Sequence, residues 1–224
     1  MSCFSRFILL LVGLVAASLE ARVDSNVASL ARGCLAGEIS LCESLLSPGI
    51  PSPSNCGAAT CNLIGSVLSL ANREAEAIAY LKPACKAKHA DSCFGLGLGY
   101  ESMGDYANAR LSYQQACEGG HAASCHNLAM LYARNDLSRQ DYTSAARLFL
   151  RACKLLYAKA CFNMAVLHAR GMGVAEDLSL TRFYFDRSCA LGLKEACKHA
   201  KDLKDDAIPP PLPKKTRGYY DQGF

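Results

Sequence analysis

The nine residues Cys117-Glu118-Gly119-Gly120-His121-Ala122-Ala123-Ser124-Cys125 contain the spacing that decides the fold. Two cysteines eight positions apart on one continuous helix would have Cα atoms about 12 Å apart, because each residue adds ~1.5 Å. A disulfide requires Cα atoms within roughly 7 Å of each other. If these two cysteines are bridged, the chain must turn back between them. The window then corresponds to the loop between two antiparallel helices.

The same spacing recurs at a regular interval along the chain. Further windows of this kind are Cys34/Cys42, Cys85/Cys93, Cys153/Cys161 and Cys189/Cys197. From Cys85 to Cys117 is 32 residues, and the next two windows follow at intervals of 36. A sequence period of about 20–50 residues is typical of repeat proteins. The windows therefore mark the junctions between successive repeats.

The residues that align with these cysteines have helical patterning. Three positions after the second cysteine stands an apolar residue, and a small residue follows it: Ile64/Gly65, Leu96/Gly97, Leu128/Ala129 and Met164/Ala165. Before each window lies a triplet with spacings of four and three, which places it on one helical face: Ala77/Leu81/Ala84, Ala109/Tyr113/Ala116, Ala145/Phe149/Ala152 and Thr181/Phe185/Ser188. We therefore predict an all-α fold, an α/α solenoid of antiparallel helix pairs stapled by disulfides.

The N-terminal residues have the pattern of an export signal. Arg6 precedes the apolar run from Phe7 to Val15, and small residues follow it. About nine apolar residues are too few to span a bilayer, which needs ~20. We predict a cleaved signal peptide over residues 1–21 and no membrane span after cleavage, with an uncleaved anchor as the alternative.

The cysteine count agrees with export. The chain has 13 cysteines, and loss of Cys3 with the signal leaves an even number. An even number in an exported protein favours disulfides in an oxidising compartment, so we predict a secreted or periplasmic protein. Four N-terminal cysteines allow three connectivities, among which we prefer the local pairs. The predicted disulfides are Cys34–Cys42, Cys56–Cys61, Cys85–Cys93, Cys117–Cys125, Cys153–Cys161 and Cys189–Cys197.

Zinc binding is the competing interpretation of the cysteines. Zinc sites usually pair cysteines about two to four residues apart, which the windows do not match. Of the four windows between Cys85 and Cys197, two have a central histidine, His89 or His121, but the other two have Tyr157 or Leu193 there. We therefore predict no metal and no cofactor. The net charge of +4 is also too small and too dispersed to indicate a nucleic-acid partner.

The sequence divides into five predicted segments. They are the signal peptide at residues 1–21, an N-terminal half-repeat with a Pro/Ser loop at 22–60, four helix-pair repeats at 61–188, a polar C-terminal capping helix at 189–207, and a Pro-rich disordered tail at 208–224. The basic part of the tail, Lys214 to Arg217, is interpreted as a solvated stretch, with a docking peptide as the alternative.

The stretch from Cys161 to Cys189 resembles a known repeat. The stretch Cys161-Phe-Asn-Met-Ala-Val-Leu-His168, followed by Gly171-Met-Gly-Val174, Asp177 and Phe183 to Cys189, is similar to a Sel-one-like repeat, a relative of the tetratricopeptide repeat. The cysteine windows resemble the cysteine-rich branch of that family, which includes exported bacterial proteins and a mitochondrial assembly factor. The resemblance covers roughly residues 61 to 200, although Thr181 replaces the alanine of the other repeats.

This resemblance implies that the first helix of each pair lines a concave binding face. The candidate groove residues are Phe94, Leu98, Glu101, His126, Met130, Arg134, Phe162, Val166 and Arg170. Their mostly apolar character suits an extended or helical peptide with apolar anchors. The alternative is that these side chains pack between neighbouring repeats.

The predicted function is an exported, disulfide-rich repeat scaffold that binds a protein or peptide through its concave face, as a monomer. The alternative is β-lactam binding or hydrolysis, because some cysteine-rich members of the family are classed as β-lactamases. The chain has no Ser-x-x-Lys, Ser-Asp-Asn or Lys-Thr-Gly element, which serine-type β-lactam chemistry would need. A third possibility is a mitochondrial intermembrane-space assembly factor. Because the sequence lacks the elements that serine-type chemistry would need, we predict no catalytic residues.

Overall fold

The computed structural model describes residues 51–134 and 141–203, together with Ser29 and Gly33 as two isolated helical positions. Between residues 51 and 203 the described chain consists of α-helices joined by turns. The helices are α1 (Ala58–Leu70), α2 (Glu74–Lys86), α3 (Ala90–Ser102), α4 (Tyr106–Glu118), α5 (Ala122–Ala133), α6 (Tyr142–Lys154), α7 (Ala158–Arg170), α8 (Leu178–Ala190) and α9 (Lys194–Asp202). The predicted all-α fold is confirmed.

The helices alternate between two roles, which we call first helices (α1, α3, α5 and α7) and second helices (α2, α4, α6 and α8). The chain divides into two compact units, residues 1–103 and 104–224. In the first unit, α1 packs on both α2 and α3, and α2 packs on α3. In the second unit, each helix from α4 to α9 packs against the next one along the chain. This serial packing is that of an α/α solenoid, in which each repeat contacts its neighbours.

The aligned triplets of the second helices face the core. All twelve triplet residues are buried, at 0–2% exposure. The two polar members of the last triplet are satisfied by the backbone. The Thr181 hydroxyl donates to the Asp177 carbonyl at 2.7 Å, and the Ser188 hydroxyl donates to the Ala158 carbonyl at 2.8 Å. Thr181 thus replaces alanine without leaving a buried hydroxyl unpaired.

A small residue on α1 allows close approach of α2. A Cβ atom added to Gly65 would lie 2.6 Å from Cγ of Leu81. The equivalent residues Ala129 and Ala165 of the second unit are fully buried. The prediction that a small residue stands where the two helices meet closely agrees with this packing.

The cysteine windows form the junctions between repeats. In each window the first cysteine lies at the end of a second helix and the second cysteine near the start of the helix that follows. Cys85–Cys93, Cys117–Cys125, Cys153–Cys161 and Cys189–Cys197 form disulfides with Cα atoms 4.5–4.7 Å apart. Cys56–Cys61 forms a fifth disulfide, at the start of α1. The prediction that disulfides staple successive helix pairs is confirmed.

Each of these junctions contains a residue in the left-handed conformation, three positions after the first cysteine. These residues are Lys88 (φ 64°), Gly120 (φ 89°), Leu156 (φ 66°) and Gly192 (φ 98°). The backbone closes a Schellman-type cap around each of them. At the third junction, for example, the Tyr157 N–H donates to the Ala152 carbonyl at 3.1 Å. Two of the four positions therefore place a side chain where glycine is favoured.

Replacing Leu156 with glycine is expected to raise the free energy of unfolding by about 0.5–1 kcal/mol, because glycine adopts the left-handed conformation without a Cβ penalty. Little burial is lost, since Leu156 is 64% exposed. The preceding residue Leu155 has φ −80° and is the matched control, because Leu155→Gly should lower stability. Urea unfolding of both variants checks this. Equal destabilisation by the two substitutions would contradict the argument.

Side-chain caps begin most of the helices. Asp105, Asp141 and Asp177 accept hydrogen bonds from backbone N–H groups at the starts of α4, α6 and α8. His89 and His121 cap α3 and α5 in the same way, through Nδ1. The central histidine of two cysteine windows is therefore an N-cap. In the other two windows Tyr157 and Leu193 occupy this position without a side-chain cap.

The last described helix begins later than the predicted capping helix. Cys189 belongs to α8, and residues 191–193 form a turn around Gly192, whose φ is 98°. The helix α9 therefore starts at Lys194, within the loop that the Cys189–Cys197 disulfide closes. It buries Ala196 and Ala200 and exposes its lysines, as a terminal helix with a polar outer face does.

Several predictions concern residues outside the described part of the chain. They are the signal peptide, the half-repeat with Cys34–Cys42, and the Pro-rich tail. No helix within residues 51–134 and 141–203 is both long and apolar enough to cross a membrane. The disulfides indicate an oxidising, extracytoplasmic compartment.

Candidate functional site

The candidate groove residues lie on the first helices. In the first unit, α3 carries Phe94, Leu98 and Glu101. In the second unit, α5 carries His126 and Met130 and is followed by Arg134 at its C-cap, and α7 carries Phe162, Val166 and Arg170. The two sets belong to separate units.

On α3, an apolar pair retains exposed surface. Phe94 and Leu98 are half-buried and one helical turn apart, so they share a face of the helix. Glu101, the third candidate groove residue on this helix, is only 3% exposed. The buried Ser92 hydroxyl, two residues before Phe94, donates to the side-chain oxygen of Asn62 on α1 at 3.0 Å. This hydrogen bond holds the start of α3 against α1.

Four groove candidates are buried rather than accessible. Besides Glu101, these are Met130, Phe162 and Val166 at 8%, 9% and 0% exposure. Phe162 lies edge-on against Phe185 of α8, with ring centroids 5.1 Å apart. The expectation that these side chains are available to a ligand is therefore corrected: they fill the space between neighbouring helices. The alternative interpretation, packing between repeats, describes them.

His126 is also part of the packing. Its ring lies 5.4 Å from the ring of Phe149 on α6 and 5.1 Å from that of Tyr157, the residue that precedes α7. The ring is half-buried and joins three helical segments of the second unit. Arg134 and Arg170, at equivalent positions near the ends of α5 and α7, are likewise half-buried.

A direct contact shows how these first helices are arranged. The side-chain amide of Asn163 on α7 donates to the sulfur of Met130 on α5 at 3.5 Å. Consecutive first helices of the second unit therefore lie side by side, which brings equivalent residues of successive repeats into a row.

The second helices form a cleft that the sequence reasoning did not identify. It has a volume of about 420 Å³ and lies between α4 and α6, with α5 beneath. Leu128 and Tyr132 of α5 line its floor. One wall carries Gln114, Cys117 and Glu118 of α4, and the other carries Ser144, Arg147, Leu148 and Arg151 of α6.

The cations of this cleft bind only neutral oxygens within the described chain. Arg147 donates to the Ser144 hydroxyl at 3.0 Å, and Arg151 donates to the backbone carbonyl of Glu118 at 3.3 Å. The Glu118 carboxylate accepts from the Gln114 amide at 3.0 Å. Both arginines are exposed. The α6 wall of the cleft thus carries two guanidinium groups. On the α4 wall, the carboxylate of Glu118 is hydrogen-bonded to Gln114.

Asp141, at the start of α6, interacts with two residues of the same wall, Ser144 and Arg147. Hydrogen bonds from the side chain and the backbone of Ser144 hold the pKa of the Asp141 carboxyl below its usual value, and the charge of Arg147 adds to this. Asp141 therefore stays ionised as the cap of α6. Its carboxylate is committed to the helix start rather than to the cleft.

The described residues also include cysteines and other side chains of metal-binding types. Ten cysteines lie in the five disulfides, so their sulfurs are not thiolates. Among the residues that the structure describes, no group of three or more His, Cys, Asp or Glu side chains is placed to hold a metal ion. The accessible features are the half-buried pair on α3 and the arginine-lined cleft.

The cleft had a signal in the sequence. Arg147, Arg151 and Lys154 are spaced by four and three residues, which places three cations on one face of α6. Alignment on the cysteines emphasised the first helices instead. Of the floor residues, the helical pattern in the sequence includes Leu128.

Comparison with known proteins identifies the type of repeat. Residues 90–118 match the tetratricopeptide repeat family. A Sel1 repeat protein from Oxalobacter formigenes aligns with 24% identity and a TM-score of 0.61, covering 68% of this chain and 67% of that one. A protective antigen of uropathogenic Escherichia coli strains, which has an SLR fold, aligns with 16% identity and a TM-score of 0.61 over 66% of this chain. This chain covers 34% of the length of that antigen.

A third solved structure, Helicobacter pylori cysteine-rich protein B, aligns with 23% identity and a TM-score of 0.47, covering 56% of this chain and 93% of that one. A search of curated protein sequences found no significant match. The predicted resemblance is confirmed at the level of the fold: the described helices have the fold of Sel1-like, tetratricopeptide-related helix-pair repeats.

Proposed function

We propose that this repeat scaffold is exported and binds a protein or peptide partner through the exposed surface of its first helices. In arrays of this kind, successive first helices form an extended, concave binding surface. The observation that carries the proposal is the apolar pair Phe94 and Leu98. These side chains keep exposed surface on α3, whereas Met130 and Val166 at equivalent positions are buried.

The disulfides support this function by fixing the first helices before a partner arrives. The bridge from Cys85 to Cys93 ties the start of α3 to the end of α2. The hydrogen bond from Ser92 to Asn62 holds the same turn against α1. A surface held in place in this way loses little conformational entropy on association.

Export is supported by the same covalent links. Disulfides persist in secreted and periplasmic proteins and are rare in the cytosol. The apolar N-terminal run, Phe7 to Val15, supplies a suitable export signal. We therefore assign the protein to the periplasm or the extracellular space, where a rigid repeat surface also resists unfolding.

Substitution of the α3 pair tests the proposal. The oxidised chain is used to capture partners from a periplasmic or culture extract, the partners are identified by mass spectrometry, and affinity for a purified partner is then measured. Phe94→Ser combined with Leu98→Ser is expected to weaken binding about tenfold or more, because apolar anchors dominate such interfaces.

Leu111 provides the matched control. It is 54% exposed on the second helix α4, so Leu111→Ser removes apolar surface that the proposed first-helix surface does not include. This control is expected to bind like the wild type. Unchanged affinity of the Phe94/Leu98 variant, with its helical content intact by circular dichroism, would show that the partner binds elsewhere.

A further inference from the structure

The cleft between α4 and α6 belongs to the second unit, whereas the apolar pair Phe94 and Leu98 belongs to the first. Its volume of about 420 Å³ is within the range of ligand pockets, roughly 300–1,000 Å³. Its floor is formed by Leu128 and Tyr132, and Leu148 adds a half-buried apolar side chain to the α6 wall. The cleft therefore offers an apolar floor beneath a charged rim.

The charge of the rim is positive on the α6 side. Arg147 and Arg151 are four residues apart on one helix, which brings their side chains to neighbouring positions. Lys154 extends the same face by one more turn and is exposed. Within residues 51–134 and 141–203, neither arginine forms a salt bridge with a carboxylate. Their hydrogen bonds to Ser144 and Glu118 go to neutral oxygens and use one terminal nitrogen each.

Each guanidinium therefore retains donors for an incoming acceptor, since arginine has five N–H groups in a planar fork. Carboxylates match this fork in a bidentate arrangement. The one carboxylate lining the cleft, that of Glu118, is held by Gln114 and reduces the positive charge without cancelling it.

We propose that the cleft is a second binding site, for an acidic peptide segment of a protein partner. An acidic side chain of the segment pairs with Arg147 and Arg151, and an adjacent apolar side chain contacts the floor formed by Leu128 and Tyr132. Charge complementarity selects the acidic partner, and the apolar floor favours a peptide over a purely ionic ligand. The site is independent of the first-helix surface.

The test is a selection of random decapeptides, displayed on phage, against the immobilised, oxidised chain. Selected peptides are synthesised and their dissociation constants measured by fluorescence polarisation. We expect one enriched class with Asp or Glu beside an apolar residue. Its binding should weaken about tenfold or more in the double variant Arg147→Glu/Arg151→Glu, and it should also weaken as salt is raised, because the charges are exposed.

Two controls separate this site from the rest of the molecule. Lys82→Glu/Lys86→Glu makes the same charge change at two exposed cations four residues apart on α2, where no cleft residue lies. Phe94→Ser/Leu98→Ser alters only the first-helix surface. Both controls should bind the acidic peptides like the wild type, so failure of this site and failure of the proposed function give different results.

Three results would overturn the proposal. The selected peptides could lack an excess of acidic residues, or acidic peptides could bind the Arg147→Glu/Arg151→Glu variant as tightly as the wild type. Alternatively, a single-stranded oligonucleotide could bind in an Arg147- and Arg151-dependent manner while no acidic peptide does. That outcome would assign the cations to phosphate recognition instead.

Discussion

The chain with both Cys153 and Cys161 replaced by alanine is expected to unfold with a free energy about 2.5 kcal/mol lower than the wild type. This figure follows from the loop entropy that a bridge between residues eight apart removes from the unfolded chain. The bridge joins α6 to α7, so it couples one repeat to the next. The stability of a repeat array depends on the interfaces between neighbouring repeats. Removing the bridge should therefore destabilise the helices on both sides of the junction.

Hydrogen exchange is the measurement that locates this effect. If the whole loss of about 2.5 kcal/mol lowers the free energy of local opening, backbone amides of α7 should exchange roughly 60-fold faster. Each 1.4 kcal/mol changes the opening equilibrium about tenfold. The helices of the first unit should keep their protection. Replacing Cys56 and Cys61 by alanine is the matched control, because that bridge lies at the start of α1 and joins no two repeats. Unaltered exchange in α7 would show that packing alone holds the junction.

The cysteine spacing predicts the repeat junctions because it states a geometric condition. Two cysteines eight apart can be bridged only if the chain turns between them, and the four junctions from Cys85 to Cys197 do so. The buried triplets follow from the same register, since Phe149 and its equivalents repeat at the period of the windows. Covalent and packing constraints of this kind are local, so one sequence is enough to show them.

Accessibility of the first helices could not be predicted in the same way. Counting from a cysteine indicates the helical face on which Val166 lies, but not which helix covers that face. Val166 and Phe162 belong to one core cluster with Phe185 and Ala196, contributed by α8 and α9. The covering residues are thus 19 or more positions away in sequence. Whether a residue is a ligand contact or a packing contact depends on that tertiary arrangement.

The left-handed turns and some helix caps could also not be predicted where the residue is not of the type usually found there. Lys88 and Leu156 adopt the left-handed conformation that Gly120 and Gly192 adopt at equivalent junctions. Glycine indicates such a turn, whereas lysine and leucine do not. His89 and His121 similarly act as N-caps, although serine, threonine, aspartate and asparagine are the residues usually preferred there.

Substitution of Gly173 by alanine is expected to destabilise the protein by about 3 kcal/mol or more, combining backbone strain with steric overlap. Gly173 has φ 71°, a conformation that disfavours any residue with a Cβ atom. An added Cβ would also meet the backbone at the start of α6, overlapping the carbonyl group of Tyr142 and lying 2.6 Å from the nitrogen of Thr143. These are backbone atoms, so no side-chain rotation relieves the contact.

Gly104 separates the two contributions, because it has a similar φ of 79° but no atom within 4 Å of an added Cβ. Gly104→Ala should therefore cost only the strain, about 1 kcal/mol. Thermal unfolding of both variants gives the difference, which measures how closely the turn between α7 and α8 packs on the preceding repeat. Equal shifts in Tm would mean that the turn does not contact α6. A larger shift for Gly173→Ala would establish this turn as a noncovalent link between repeats, in addition to the disulfides.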